Sequence, residues 1–179
     1  DELRAHPGWA LYGQPVASFD EILDQLERRI ARHPKTTFIS VHFGNCAEEP
    51  QRVARMLRRY PNLFIDTAAR IPEMGRHDPE MMQKFFEEFQ DRILFGSDLG
   101  IGAKSEPLFL GSQGSTPPTA AEELLFFEAT HRYFETGDRN FAHPTPIQGN
   151  WKISGVELPR PILEKIYFRN AARLLNIAL

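Results

Sequence analysis

Four polar residues stand at or just after the ends of short apolar runs, and their types could support chemistry together. They are His42, Asp66, Arg70 and Asp98. A histidine and two carboxylates that converge on one face suit a divalent metal ion that activates water. An arginine beside them could hold a substrate carboxylate through two parallel hydrogen bonds. The sequence therefore predicts metal-assisted chemistry that involves these residues.

Each of the four also has an ordinary structural explanation. His42 could be a histidine that bonds a backbone carbonyl, and Asp98 could cap the turn after its strand. Asp66 could accept loop N–H groups, as aspartates in loops and turns often do, which makes it the weakest of the three metal candidates. Arg70 could pair with a surface acid. Spacing alone leaves both interpretations open for every one of them.

Other reactive groups are weaker candidates. Cys46 is the only cysteine, which excludes an internal disulfide framework and cysteine-rich zinc patterns, and we expect an inert thiol. His143 and Trp151 lie in a loop, where packing is the simpler explanation for Trp151. The chain has no P-loop, no dinucleotide-binding glycine pattern and no nucleophile elbow. These absences argue against nucleotide-dependent and serine-hydrolase chemistry.

The elements that must position these residues follow an alternating pattern. Apolar runs predict buried parallel strands at Thr37–His42, Leu63–Asp66 and Arg92–Gly96, with both sheet faces covered. A helical stripe precedes each run, and the first helix begins at a capping box formed by Ser18 and Glu21. Parallel strands end at one edge of a sheet, where ligands bind in α/β folds. We therefore expect the four polar residues to lie together.

The pattern changes after Asp98. Residues 99–118 and 137–158 are rich in glycine, proline and polar residues, which predicts two long loops. Between them, Thr119 and Glu122 predict a capped helix that runs to about Glu135. A last helical segment starts at Pro161. The 179 residues fit one domain, spanning 1–179.

Composition narrows the function further. A net charge of −3 does not provide the excess of positive charge that nucleic-acid binding favours. No stretch of apolar residues is long enough to span a membrane. We expect a cytoplasmic protein that acts on a small molecule, while homo-oligomerisation stays open. The chain begins without a methionine, so we expect a processed chain or a piece of a longer one.

Four stretches of the chain form a pattern when they are taken together. They are FISVHFG at 38–44, NLFIDTAAR at 62–70, DRILFGSD at 91–98 and IYFRNAARLL at 166–175. A strand that ends in Gly-Ser-Asp combined with an Asn-Ala-x-Arg-Leu-Leu tail is fairly specific. This pattern, which covers nearly the whole chain, resembles the amidohydrolase-related family, which contains metal-dependent hydrolases and non-oxidative decarboxylases.

The resemblance implies the C-terminal part of a (β/α)₈ TIM barrel, with these strands as the sixth, seventh and eighth. His42 then matches the sixth-strand histidine, which orients or activates metal-bound water or polarises the substrate. Asp98 matches the last-strand aspartate, which binds metal or accepts the proton of that water. The implied cofactor is a divalent metal, zinc before manganese. With Arg70 orienting the substrate, we expect a hydrolase of small, carboxylate-bearing compounds.

The sequence also departs from the family pattern. Members carry a His-x-His pair on strand one and a histidine on strand five, and neither is present here. Two ligands do not make a tetrahedral site, so this segment alone should bind metal poorly. Three alternatives stay open: a decarboxylase that uses the same metal face, a non-catalytic half-barrel module, and a small flavodoxin-like binding domain with an open sheet.

Overall fold

The chain folds as a mixed α/β structure in which helices alternate with short strands. The computed structural model describes residues 2–101, 108–110, 119–145 and 148–179. The helical elements are α1 (Glu2–Ala5), a 3-10 turn (Pro7–Trp9), α2 (Phe19–Arg32), α3 (Val41–Gly44), α4 (Pro50–Arg59), α5 (Ile71–Met74), α6 (Pro79–Phe89), α7 (Ala120–Glu135), α8 (Arg160–Glu164), a π-helical segment (Lys165–Arg169) and α9 (Asn170–Leu175).

Within the described residues the strands are all short, and they form three separate sheets. They are β1 (Phe38–Ser40), β2 (Leu63–Asp66), β3 (Ile93–Leu94), β4 (Leu99–Ile101), β5 (Leu108–Leu110), β6 (Phe141–Ala142) and β7 (Lys152–Ile153). Among the helices within the described ranges, none is long and apolar enough to cross a membrane.

A parallel sheet with the order β1–β2–β3 forms the centre of the fold. In its register Ser40 lies opposite Ile65, and Asp66 lies opposite Leu94. The prediction of three parallel strands is therefore confirmed. β2 has the bounds that the sequence predicts, whereas β1 and β3 are shorter. β1 ends before His42, because the backbone there turns away from the sheet.

The two predicted loops need correction. β4 and β5 pair antiparallel within the first of them, 99–118, and β6 and β7 pair antiparallel within the second, 137–158. Residues 102–107 and 111–118 of the first loop and 146–147 of the second lie outside the described residues. Each segment thus contains a two-stranded sheet that its glycine and proline content did not reveal.

Local capping signals predict the helix starts correctly. Ser18 with Glu21, and Thr119 with Glu122, both form the reciprocal capping box. Helical spacing predicts a buried face of α7 made of Leu124, Leu125, Phe127, Thr130 and Phe134. Thr130 and Phe134 are buried as predicted, whereas Leu124 and Leu125 are exposed and Phe126 is buried instead.

One face of the parallel sheet is packed, and the other is open at β1 but covered at β3, where Leu94 is buried. Leu63 and Ile65 of β2 are buried on the packed face. Phe43, in the turn after β1, and the aromatic residues of α6 are buried as well. Ile39, on the opposite face of β1, keeps 44% of its surface exposed, and its neighbour Phe64 is half-buried. The prediction that both faces are covered is therefore wrong at β1. An apolar face remains open to solvent there.

The last helical segment contains a π-helical turn that changes which side chains face inward. A π turn adds a residue to the helix and shifts the following face by about 100°. Helical spacing in this segment predicts an apolar face made of Ile162, Ile166, Ala171, Leu174 and Leu175. Ala172 is buried in place of Ala171, and Leu175 is exposed. The same shift buries Asn170, which keeps only 2% of its surface exposed.

Asn170 fastens the end of the chain to the parallel sheet. Its side-chain amide donates to the carbonyls of Gln90, at 2.7 Å, and Ile93, at 2.8 Å. Nearby, the N–H of Phe95 donates to the carbonyl of Ile166 at 2.9 Å. The C-terminal segment therefore stabilises β3, the strand that leads to Asp98.

Replacing Asn170 with alanine should destabilise the protein. The buried carbonyl of Ile93 and the half-buried carbonyl of Gln90 would lose their donor, and the loss should be about 2–4 kcal/mol of unfolding free energy. Urea denaturation measures it, with exposed Asn150→Ala as the matched control. A loss of less than about 0.5 kcal/mol, the size of an ordinary surface substitution, would contradict this role.

Candidate functional site

The candidate site lies at the carboxyl edge of the parallel sheet, where β1 and β2 are joined by one carboxylate. Oδ1 of Asp66 accepts the backbone N–H of His42 at 2.8 Å and that of Ala68 at 3.1 Å. Asp66 thus satisfies N–H groups of the turns that follow both strands. This is the ordinary loop role that the sequence left open for it.

The turn after β1 has an unusual backbone. His42, Phe43, Gly44 and Asn45 all have positive φ values, between 54° and 68°. Such left-handed geometry costs roughly 1–2 kcal/mol for each residue that carries a Cβ, so it persists only where other contacts hold it. The bond from His42 N–H to Asp66 and the burial of Phe43 supply such contacts.

The imidazole of His42 is held by the same turn. Its Nδ1 lies 3.0 Å from the carbonyl oxygen of Ala68. A carbonyl can only accept, so Nδ1 carries the proton and donates it. In the neutral ring, Nε2 then has a free lone pair, and it has no hydrogen-bond partner among the described residues. Metal-binding histidines are commonly oriented by this kind of bond.

The turns after β2 and β3 are packed against each other through buried Thr67. Its hydroxyl accepts the N–H of Gly96 at 3.2 Å. A Cβ at Gly96 would lie 2.9 Å from the Cβ of Ala68, so only glycine allows this close approach. Sequence reasoning missed Thr67 and Ala68, because neither carries groups typical of a site. Together they link the turn of His42 to the segment that carries Asp98.

Asp98 lies on the exposed surface just beyond β3, in a left-handed conformation with φ of 61°. The N–H of Leu99 donates to the hydroxyl of Ser97, at 3.3 Å, and not to Asp98. The Asp98 carboxylate makes no hydrogen bond or ion pair with the part of the chain that the structure describes. The turn-capping explanation for Asp98 therefore has no support in these contacts.

Arg70 follows β2 and is half-buried. Within the described ranges its guanidinium has no hydrogen-bond or ion-pair partner, so no surface acid there neutralises it. It lines a depression together with Phe19, Asn45, Glu48 and Glu49.

The second loop covers part of this edge. The side chain of Gln148 donates to the carbonyl of Ala69 at 3.4 Å, and the indole of Trp151 donates to that of Pro72 at 3.0 Å. His143 is buried and uses both ring nitrogens within its own loop, toward Gly149 and Thr145. It therefore has no nitrogen left for a substrate, and Trp151 serves packing.

Two titratable groups are affected by burial near this edge. Burial raises the pKa of the Cys46 thiol, which agrees with the inert thiol expected from the sequence. Burial also lowers the pKa of His143, against the opposing effect of its bond to Gly149. Burial therefore favours the neutral form of His143.

Taken together, His42, Arg70 and Asp98 follow β1, β2 and β3 in turn, at one edge of the sheet. In the described parts of the chain, however, no group of three or more histidine, cysteine or acidic side chains is placed to hold a metal ion. The predicted convergence of His42, Asp66 and Asp98 into one such group is not found. Asp66 instead organises the turns.

Comparison with known proteins places these residues in a family. A family model described as Amidohydrolase matches residues 5–177, which include the three parallel strands and the terminal helices. No curated protein matches the chain. No solved structure matches it either.

Removal of the Asp66 carboxylate should loosen both turns. Asp66→Ala leaves the N–H groups of His42 and Ala68 without an acceptor, and we expect a loss of about 1–3 kcal/mol of unfolding free energy. Asp66→Asn keeps an acceptor oxygen and should retain most of the stability. Chemical denaturation of both variants tests this, and equal losses in the two would contradict it.

The stability of the protein should depend on pH through His143. Because its pKa in the folded state lies below its ordinary value of 6.5, the unfolded chain binds a proton first as the pH falls. Its contribution is therefore complete above pH 6.5 and is lost as the pH falls through the folded-state pKa. Unfolding free energies at several pH values should fall less steeply below pH 6.5 in His143→Gln, while exposed His33→Gln serves as control. Identical slopes in all three proteins would contradict this assignment.

Proposed function

The chain belongs to the amidohydrolase family, and we propose that it carries part of the active site of a metal-dependent hydrolase. The substrate would be a small organic compound with a carboxylate. The proposal depends first on the hydrogen bond from Nδ1 of His42 to the carbonyl of Ala68, because this bond leaves the lone pair of Nε2 available for a metal ion. The membership itself supports a hydrolase or decarboxylase-type activity.

His42 and Asp98 fit a divalent metal in their chemistry but not in their number. Zinc, or manganese as the alternative, would be held by Nε2 of His42 and the carboxylate of Asp98, with further ligands from outside these 179 residues. Such a cation lowers the pKa of a bound water and polarises the bond to be cleaved.

The residues of this chain would then have separate tasks. His42 presents a lone pair whose direction is fixed by Ala68 and Asp66. Asp98, with no partner among the described residues, has a carboxylate free to accept a proton. Arg70, half-buried and unpaired in the same described ranges, orients the carboxylate of the substrate.

We also propose that the parallel strands are the sixth, seventh and eighth of a TIM barrel. The open apolar face at Ile39 and Phe64 supports this, because inward-facing side chains of a barrel are apolar and are covered only when the barrel closes. The packed face, beneath α4 and α6, would be the outer face of such a barrel.

The test is Asp98→Asn in the intact protein that contains this chain. Zinc content measured by mass spectrometry should fall, and hydrolysis across a panel of small carboxylate amides and esters should slow by at least about a hundredfold. Glu128→Gln, an exposed carboxylate on α7, is the matched control.

Two outcomes would contradict the proposal. Unchanged zinc content together with unchanged turnover in Asp98→Asn would exclude Asp98 from the site. Release of carbon dioxide without addition of water would identify a decarboxylase instead of a hydrolase.

A further inference from the structure

A depression of about 490 Å³ lies at the same edge of the sheet as His42. Its walls come from three neighbouring parts of the chain, and the lining residues are Phe19, Asn45, Glu48, Glu49 and Arg70. Phe19 begins the helix that precedes β1, Asn45 ends the turn of His42, Glu48 and Glu49 follow that turn, and Arg70 follows β2. The depression is therefore built partly by the segments that follow β1 and β2, as His42 does.

The guanidinium of Arg70 is half-buried and has no charged or hydrogen-bonding partner within the described residues. A half-buried guanidinium normally pairs with an acid or a carbonyl, because its desolvation is otherwise uncompensated. Two carboxylates, Glu48 and Glu49, line the same depression, yet Arg70 forms no ion pair with either. Nor does it meet any other partner in the described part of the chain. A carboxylate from a ligand would supply the missing bidentate contact.

The remaining walls complement different chemistry. Glu48 and Glu49 are exposed and can accept hydrogen bonds from an ammonium group. Phe19 keeps 51% of its surface exposed, although it is a large apolar side chain. Asn45 adds an exposed amide. The lining of the depression thus contains one positively charged side chain, two negatively charged side chains and an apolar surface.

We propose that this depression binds the substrate, and that the substrate is a zwitterionic aminocarboxylate with an apolar part and an amide or ester bond that is cleaved. Its carboxylate pairs with Arg70, its ammonium group faces Glu48 and Glu49, and its apolar part lies on Phe19. This rests on the proposed hydrolase function, since it names the substrate class of that same site.

Because the depression contains side chains of both charges, it discriminates against ligands that carry only one charge. A plain carboxylate gains Arg70 but is repelled by the two glutamates, and a plain amine gains the glutamates but is repelled by Arg70. Only a molecule that carries both charges satisfies both groups at once. The expected selectivity therefore differs from that of a general anion site.

Three probes of similar shape test the selectivity in the metal-free form of the intact protein, with a chelator present. They are 4-(aminomethyl)benzoate, which carries both charges, 4-methylbenzoate and 4-methylbenzylamine. Calorimetric or NMR titration should show the zwitterion binding at least about tenfold more tightly than either other probe, a factor equivalent to one good charged contact.

Variants assign each end of the ligand. Arg70→Gln should weaken the zwitterion about tenfold, without weakening 4-methylbenzylamine, while the double variant Glu48→Gln/Glu49→Gln should weaken the zwitterion and the amine but not 4-methylbenzoate. Arg55→Gln, an exposed arginine on α4, is the control and should change nothing. Circular dichroism verifies that every variant is folded.

Equal affinity for the three probes, or equal effects of Arg70→Gln and Arg55→Gln, would overturn the proposal. Because the titrations contain no metal, they are independent of the zinc measurement on Asp98→Asn. Selective binding of the zwitterion without zinc-dependent turnover would support the ligand site and contradict the proposed hydrolase function. Zinc-dependent turnover without selective binding would support the hydrolase function and contradict the ligand site.

Discussion

The arrangement at the carboxyl edge depends on one carboxylate that accepts two backbone N–H groups. Asp66 bonds the N–H of His42, at 2.8 Å, and that of Ala68, at 3.1 Å, and so joins the turns after two strands. Ala68 in turn fixes the imidazole. Asp66, the weakest of the three candidate metal ligands, therefore has a structural role, and it holds His42 in a strained backbone.

A short sheet can position reactive groups here because other residues hold them in place. The carboxylate and the carbonyl that hold His42 are contributed by β2 and the turn after it, while the segment of Asp98 is held by Thr67 and by the C-terminal helices. Each candidate residue thus depends on a neighbour elsewhere in sequence. Arg70 differs, because its guanidinium is held by nothing in the described ranges and is left for a ligand.

The sequence predicts whatever depends on local chemistry. The bounds of β2 and the capping box at Ser18 are fixed by residues within a few positions, and both are confirmed. The left-handed turn at His42 could not be predicted, since its cause lies 24 residues away in Asp66. The inward position of Asn170 depends on a π turn, which helical periodicity does not contain. The placement of site residues at one edge followed from the parallel sheet, whereas their individual partners required the tertiary structure.

The open apolar face at Ile39 has a consequence for how this polypeptide behaves in a cell. Within the described residues, β1 has a strand neighbour on one side only, and its other side is a free edge next to exposed Ile39 and Val41. Unprotected edges with apolar side chains serve as templates for strands of other molecules and promote aggregation. In the barrel proposed above, a strand that precedes β1 would pair with this edge, and that pairing would protect these residues from aggregation.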